Sequence, residues 1–409
     1  MMTHLRLPNC MLPILYGVGI LVTVLQAVTA QSAMYYVATT GSDSNPGTSS
    51  SPWRNPQKCA HSPIRAGDTC IVRAGTYTDT NGDGIVVFVY DRASTPSGTP
   101  SAPITIKSEK PLGAAIVLPN NRGLAVGFQI YKPYYVIEGF DISGGNSNGS
   151  GAGSVGIQFA GPATGGVARS NAVHHIGRAS CTNSTNTFSG ITIRTSSILI
   201  ERNRIYSVGR RRNGESGCST TKHNLDHGIY ASSSSNSTIR RNLLYDSNRG
   251  YPISIWGGTM TNLSIHHNTL SGRSPTGSPV GQILLGSTIK TANVKNNISI
   301  DARYGMVYLF GLRASAVTIS HNLSTIATKF ATSMPSGVTL SNNIENINPA
   351  VFDSSRNDFR LTSSSPAINR GTSSGVPPVS DGRPDIGGYE YGNQNITASP
   401  LTPTGLRVQ

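Results

Sequence analysis

The sequence predicts an all-β solenoid, a parallel β-helix, and three observations carry that prediction. The first is composition: the 409-residue chain holds 45 Gly and only 13% charged residues. Rich in Gly, Ser, Thr, Asn and Ile, it suits short strands and tight turns. It excludes coiled coils and helical repeats, which need Ala, Leu, Glu and Lys. A hydrophobic content of 37% also excludes a wholly disordered chain.

The second observation is a recurrent phrase, a short alternating strand closed by Asn. It occurs as Val167–Asn171, Ile198–Asn203, Thr238–Asn242, Leu263–Asn268, Val294–Asn297, Val317–Asn322 and Val338–Asn343. From Asn171 to Asn343 the chain runs 172 residues in six intervals, roughly 29 per repeat. Asn tolerates the left-handed backbone of a sharp bend, and a buried Asn can bond its equivalent one coil away. The third observation is a second short phrase in Val155-Gly-Ile157, Ser189-Gly-Ile191, His227-Gly-Ile229, Tyr251-Pro-Ile253 and Tyr304-Gly-Met306. Two or three strands per coil, stacked coil upon coil, would bury a column of Ile, Val and Leu.

In chain order, residues 1–30 read as a signal peptide: Arg6 precedes an apolar run from Met11 to Val28 that ends in Val28-Thr29-Ala30. Secretion fits the four remaining cysteines, whose proximity suggests Cys59–Cys70 and Cys181–Cys218, one of three connectivities. Residues 31–391 are expected to form the β-helix domain with end caps. Pro52 to Ile64 is a candidate short capping helix at its start, Pro103 to Ser108 an early strand, and Tyr134 to Ile142 the first well-marked coil. Asp353 to Tyr391 loses the Asn rhythm and is expected to cap the far end, leaving residues 392–409 as a Pro/Thr-rich tail.

The opening Tyr35-Tyr-Val-Ala-Thr-Thr-Gly-Ser-Asp43, with Asn45-Pro-Gly-Thr48, Ala66-Gly-Asp68 and Val72-Arg-Ala-Gly-Thr-Tyr77, resembles that of secreted right-handed parallel β-helix proteins of the pectate-lyase-like superfamily. Ser365-Pro-Ala-Ile368 and Asp381-Gly-Arg-Pro-Asp-Ile-Gly-Gly-Tyr-Glu390 are similarly typical of that group's ending. The resemblance spans roughly residues 34–391 and implies a fold shared by lyases, epimerases, hydrolases and binding proteins.

The formal charge of +14 calls for a polyanionic partner, and export favours an acidic polysaccharide over nucleic acid or membrane. Residues 161–250 carry twelve Lys and Arg against Glu201, Glu215, Asp226 and Asp246. The interval Asn203–Asn242 is 39 residues, so a loop is inserted there, supplied by Arg210 to Cys218. Directly after it comes Lys222-His-Asn-Leu-Asp-His-Gly-Ile-Tyr230, dense in ionisable groups.

Cleaving a uronate polymer by β-elimination needs a cation on the carboxylate, a base for the C5 proton and an acid for the leaving oxygen. Arg matches a carboxylate bidentately, and Lys, His or Tyr can serve as base. Lys222, His223, His227, Tyr230, Arg241 and Arg249 are therefore the catalytic candidates. Arg210, Arg211, Arg212, Asp226, Tyr251, Trp256, Arg303 and Tyr304 are the substrate-binding candidates. Chondroitinase B and related alginate lyases resemble this picture, placing a Lys base and an Arg on adjacent coils, which points to Lys222 with Arg241 or Arg249.

Each candidate has a duller reading. His227 sits at a coil corner with Val155, Ser189, Tyr251 and Tyr304 as its equivalents, where stacking alone would explain it. Trp256 suits packing under a loop, and Asp226 suits orienting a neighbour. The function expected is a secreted polysaccharide lyase, monomeric, with no metal or other cofactor required and calcium the one ion left open. A uronan C5-epimerase, a glycoside hydrolase using Asp226 and Asp246, and a non-catalytic glycan-binding protein are the alternatives.

Overall fold

The computed structural model describes residues 32–392 apart from 121, 148–152, 223, 248, 273–280, 332 and 380–381. The expected signal peptide, His223 and the tail beyond 392 lie outside the described residues. The structure is a parallel β-helix with three stacks of strands. The first stack runs from Met34–Val37 to Val338–Ser341, the second from Gly75–Thr78 to Leu323–Ser324, and the third from Ile85–Val89 to Lys329–Phe330. Each strand pairs in parallel with its equivalent a full turn later. His227–Ala231, for example, lies between Phe188–Arg194 and Ile253–Ile255.

Alternation along these strands fills the interior. Ile157, Ile191, Ile229, Ile253, Ile283 and Val307 occupy one register and are each 0% exposed. Burying such a side chain contributes about 1.5–3 kcal/mol, so the column is a principal source of stability. The Gly of the second phrase has a steric cause. A Cβ at Gly156, Gly190 or Gly228 would stand 2.6 Å from the next coil's backbone carbonyl oxygen.

All seven phrase-ending asparagines form one ladder. Asn171 Nδ2 donates to Asn203 Oδ1 at 3.0 Å, Asn203 to Asn242 at 3.0 Å, Asn242 to Asn268 at 3.0 Å and Asn268 to Asn297 at 2.9 Å. Asn297 then donates to Asn322 and Asn322 to Asn343, both at 3.0 Å. Each Oδ1 also accepts the backbone N–H of the residue one coil earlier, as Asn242 does from Asn203 at 3.0 Å. The left-handed residue at these bends is not the Asn, as the sequence reading supposed, but the one before it. Ser170, Arg202, Arg241, His267, Asn296, His321 and Asn342 have φ between 53° and 56°. The Asn itself turns inward, where its amide is needed.

Both disulfides pair as expected, Cys59–Cys70 with Cα atoms 5.7 Å apart and Cys181–Cys218 at 5.5 Å. Three expectations are corrected. No capping α-helix forms over 52–64; that stretch holds only a five-residue 3-10 turn, Pro56–Ala60, whose Gln57 side chain bonds the backbone of Phe88. Pro63 disfavours the helical region for the residue before it, so the turn has no room to extend.

The segment beyond Asp353 runs back along the side of the helix instead of closing its end. Phe359, Leu361, Ala367 and Ile386 pack on Leu243, Tyr245, Ile298, Ile300 and Leu323, the outward side chains of the second stack. Glu390 reaches Arg241 at 2.8 Å. Finally, the strand register matches Tyr251 with Gly305 through Gly281, so Tyr304 falls one residue outside the position assigned to it.

Candidate active site

A groove of about 410 Å³ opens on the outer face of the third stack. It is lined by outward residues that alternate with the Ile column. One file runs Tyr230, Ser254, Leu284 and Tyr308 on successive coils. Two residues further along the strands, Arg194, Trp256 and Phe310 supply a second file. Trp256 and Phe310 stack at 5.7 Å with an interplanar angle of 23°. Gly286 makes that possible, because a Cβ there would meet the Trp256 ring at 2.2 Å. Tyr251, Tyr308 and Phe310 continue the aromatic surface at 6.3 and 5.4 Å between centroids.

His227 forms the inner wall and is 5% exposed. Its Nδ1 accepts the backbone N–H of Tyr251 at 3.3 Å. Burial lowers its pKa to about 4, against the opposing pull of Asp226, so the ring is neutral at pH 7. With Nδ1 accepting, the proton sits on Nε2. His227 is thereby a hydrogen-bond donor through Nε2 and a poor base.

Tyr230 stacks on His227 at 5.4 Å and is half-buried. Burial raises its phenol pKa, while the Arg194 guanidinium and a hydrogen bond with Ser232 pull it back down. Arg194 is exposed and is the one charged side chain lining the groove among the described residues. No described carboxylate lies within ion-pair distance of it, leaving its planar fork available for an anionic ligand. On the floor, Ser254 is 0% exposed and its Oγ has no hydrogen-bond partner in the fold.

The structure gathers His227, Tyr230, Tyr251 and Trp256 in this groove and distributes the other described candidates elsewhere. Arg210 and Asp226 are structural rather than substrate-binding. Arg210 is 0% and Asp226 1% exposed, and they form a bidentate pair with both contacts at 2.9 Å. Arg210 also donates to the carbonyls of Thr182, Ser184 and Asn186, tying one loop to another. Arg249 is 2% exposed and spends its donors on the carbonyls of Arg211, Lys222 and Thr220. Arg241 sits at the asparagine corner in its ion pair with Glu390, remote from the groove along the coil.

Lys222, Arg211 and Arg212 belong to the loops before the groove and do not line it. Arg303 lies over the Tyr304 ring at 5.3 Å, both exposed on the turn that leads into the third stack. Part of the basic excess of 161–250 is thus absorbed: Arg169, Arg178, Arg210, Arg240 and Arg241 all face carboxylates. Asp226 and Asp246 are no catalytic pair either, since Asp246 accepts Ser207 Oγ on the second stack at 2.6 Å. Among the described residues no three of His, Cys, Asp and Glu converge as a metal-binding cluster would.

Sequence reasoning missed Arg194, Tyr308 and Phe310 as groove residues. The available signal was the alternation itself. In Ile191-Thr-Ile-Arg194 and Val307-Tyr-Leu-Phe310 the residues between apolar core positions must face outward.

Comparison with solved structures places the architecture in the pectate-lyase-like parallel β-helix fold. Pectate lyase Pel9A superposes with a TM-score of 0.53 over 88% of this chain and 96% of its own, at 15% identity. That likeness establishes the fold and nothing finer. A rhamnogalacturonan lyase (TM-score 0.42, 15% identity, 79% of this chain and 91% of that one) is also similar. So is a GH136 lacto-N-biosidase from Eubacterium ramulus (0.43, 12%, 76% and 68%). No family model matches the chain, and no curated protein matches it in sequence.

Proposed function

We propose that the groove binds an acidic polysaccharide outside the cytoplasm and cleaves it by β-elimination, with Arg194 and Tyr230 at the reacting centre. The observation that carries this reading is that Tyr230 and the unpaired Arg194 guanidinium line one groove whose described lining holds no carboxylate, with Arg194 opposing the burial that raises the Tyr230 pKa. Arg194 holds the uronate carboxylate and so acidifies the C5 proton. Tyr230, as phenolate, takes that proton. The C5–H electrons form the C4=C5 double bond, the C4–O glycosidic bond breaks, and the phenol returns its proton to the leaving oxygen, regenerating the phenolate. His227, neutral and lining the groove with its proton on Nε2, serves in this reading as a hydrogen-bond donor to the substrate and does not exchange a proton.

Location outside the cytoplasm is supported by the two disulfides. No described helix is long and apolar enough to cross a membrane. That no carboxylate pair stands among the described lining residues favours elimination over hydrolysis. The test is a panel of acidic polysaccharides followed at 235 nm, where the unsaturated product absorbs, with and without chelator. A rise in absorbance that survives the chelator supports the reading. Binding without new absorbance or chain ends on every substrate refutes it, and altered C5 configuration without chain cleavage would assign an epimerase instead.

A further inference from the structure

The groove is longer than its charge. Arg194 and Phe310 stand four coils apart along the third stack. At ~4.8 Å per coil that is about 19 Å, the reach of a short oligosaccharide. Over this length Arg194 is the one cation among the described lining residues, and it lies at one end. Two basic residues from the loops that precede its strands are committed elsewhere, Arg210 to Asp226 and Arg249 to three carbonyls. The other end is the Trp256–Phe310 stack, with Tyr308 and Leu284 beside it.

A homopolyuronate laid along such a groove would bring a carboxylate to every sugar. One would meet Arg194, and the others would be set against aromatic rings and Leu284 with no cation among the described lining residues to offset their lost hydration. A neutral sugar suits that end better. Its C–H face packs on the rings, of which Trp256 is 36% and Phe310 51% exposed.

Resting on the reading that this groove holds an acidic glycan, we propose that its substrate is a heteropolysaccharide alternating uronate with neutral sugar, the uronate at Arg194 and the neutral residue on the Trp256–Phe310 platform.

The test uses the intrinsic fluorescence of the full chain. Trp53 is 1% exposed and remote, whereas Trp256 is 36% exposed in the groove, so quenching on titration reports occupancy of the platform. The probes are oligogalacturonate and, at equal length, oligosaccharides alternating galacturonate with rhamnose or glucuronate with N-acetylglucosamine. At least one alternating glycan is expected to quench Trp256 and bind about tenfold more tightly than the homopolymer. Phe310→Ala should weaken the alternating glycan more than the homopolymer and so remove that advantage, Phe310→Tyr should restore it, and Arg194→Ala should weaken both. Phe310 is 51% exposed, so its truncation spares the core.

Homopolymer binding as tight as that of both alternating glycans, or equal losses for every ligand in Phe310→Ala, overturns the inference. If the homopolymer is also cleaved, the lyase reading survives that failure. If none of the glycans quenches Trp256 or shows affinity by calorimetry, both readings fall.

Discussion

Replacing Asp226 by Asn separates a structural from a substrate-binding role for the Arg210–Asp226 pair. The two carboxylate oxygens accept four bonds: Arg210 Nε, Arg210 Nη2 and the Arg210 backbone N–H at 2.9 Å, and the Phe188 N–H at 3.0 Å. Asn retains one acceptor oxygen and turns an NH2 toward a guanidinium that is 0% exposed. An uncompensated buried charge costs about 3–5 kcal/mol, more than the loss of the hydrogen bonds alone. The cost falls on the loops that Arg210 ties together, from Thr182 to Asn186 and around Arg210 itself. Urea unfolding should therefore show a lower midpoint, and limited proteolysis should cut those loops faster. The double variant Arg210→Met, Asp226→Leu should recover much of the loss, because it removes both charges. An unchanged midpoint and cleavage pattern, with glycan binding lost, would refute the structural assignment.

Other predictions follow the same logic. Asn242→Ala strands the Asn203 backbone N–H and side-chain amide that Asn242 Oδ1 accepts, at about 1–3 kcal/mol for each buried group, read as a lower unfolding midpoint. Replacing Cys181 and Cys218 together by Ser opens a loop of sequence separation 37, worth about 4 kcal/mol by chain entropy. That variant should be less stable and its 209–226 segment more readily proteolysed. The pH dependence distinguishes the bases. Tyr230 must be deprotonated to act and its pKa is raised above the usual 10, so kcat/KM should climb about tenfold per pH unit and still be rising at pH 9. A His227 base, with its pKa lowered to about 4, would give a profile already level at neutral pH.

The repeat was legible because it is written in a strict local code. Asn at each phrase end and alternating apolar residues before it are set by geometry repeated coil after coil, and the ladder from Asn171 to Asn343 follows it throughout. Charge was not legible in the same way. A count over 161–250 cannot say which arginines meet carboxylates, and their partners are far off in sequence: Glu201 lies 39 residues from Arg240, and Glu390 lies 149 from Arg241. The densest ionisable cluster therefore pointed at loops whose charges hold the fold together. The groove was half legible. His227, Tyr230, Tyr251 and Trp256 stand near that cluster, but Tyr308 and Phe310 lie on coils reached only through the strand register. A one-residue slip placed Tyr304 where Gly305 belongs and hid them.

The most direct test of the reacting centre is the initial rate of absorbance increase at 235 nm for Tyr230→Phe against the unaltered protein, on whichever acidic polysaccharide it cleaves. Tyr230→Phe removes one oxygen from a half-buried ring that stacks on His227, so the unfolding midpoint should hold and KM should change little. The account predicts a loss of at least about a hundredfold in kcat, the lower end for removing a positioned proton-transfer group. A Tyr230→Phe variant that produces the unsaturated product at the unaltered rate would contradict it.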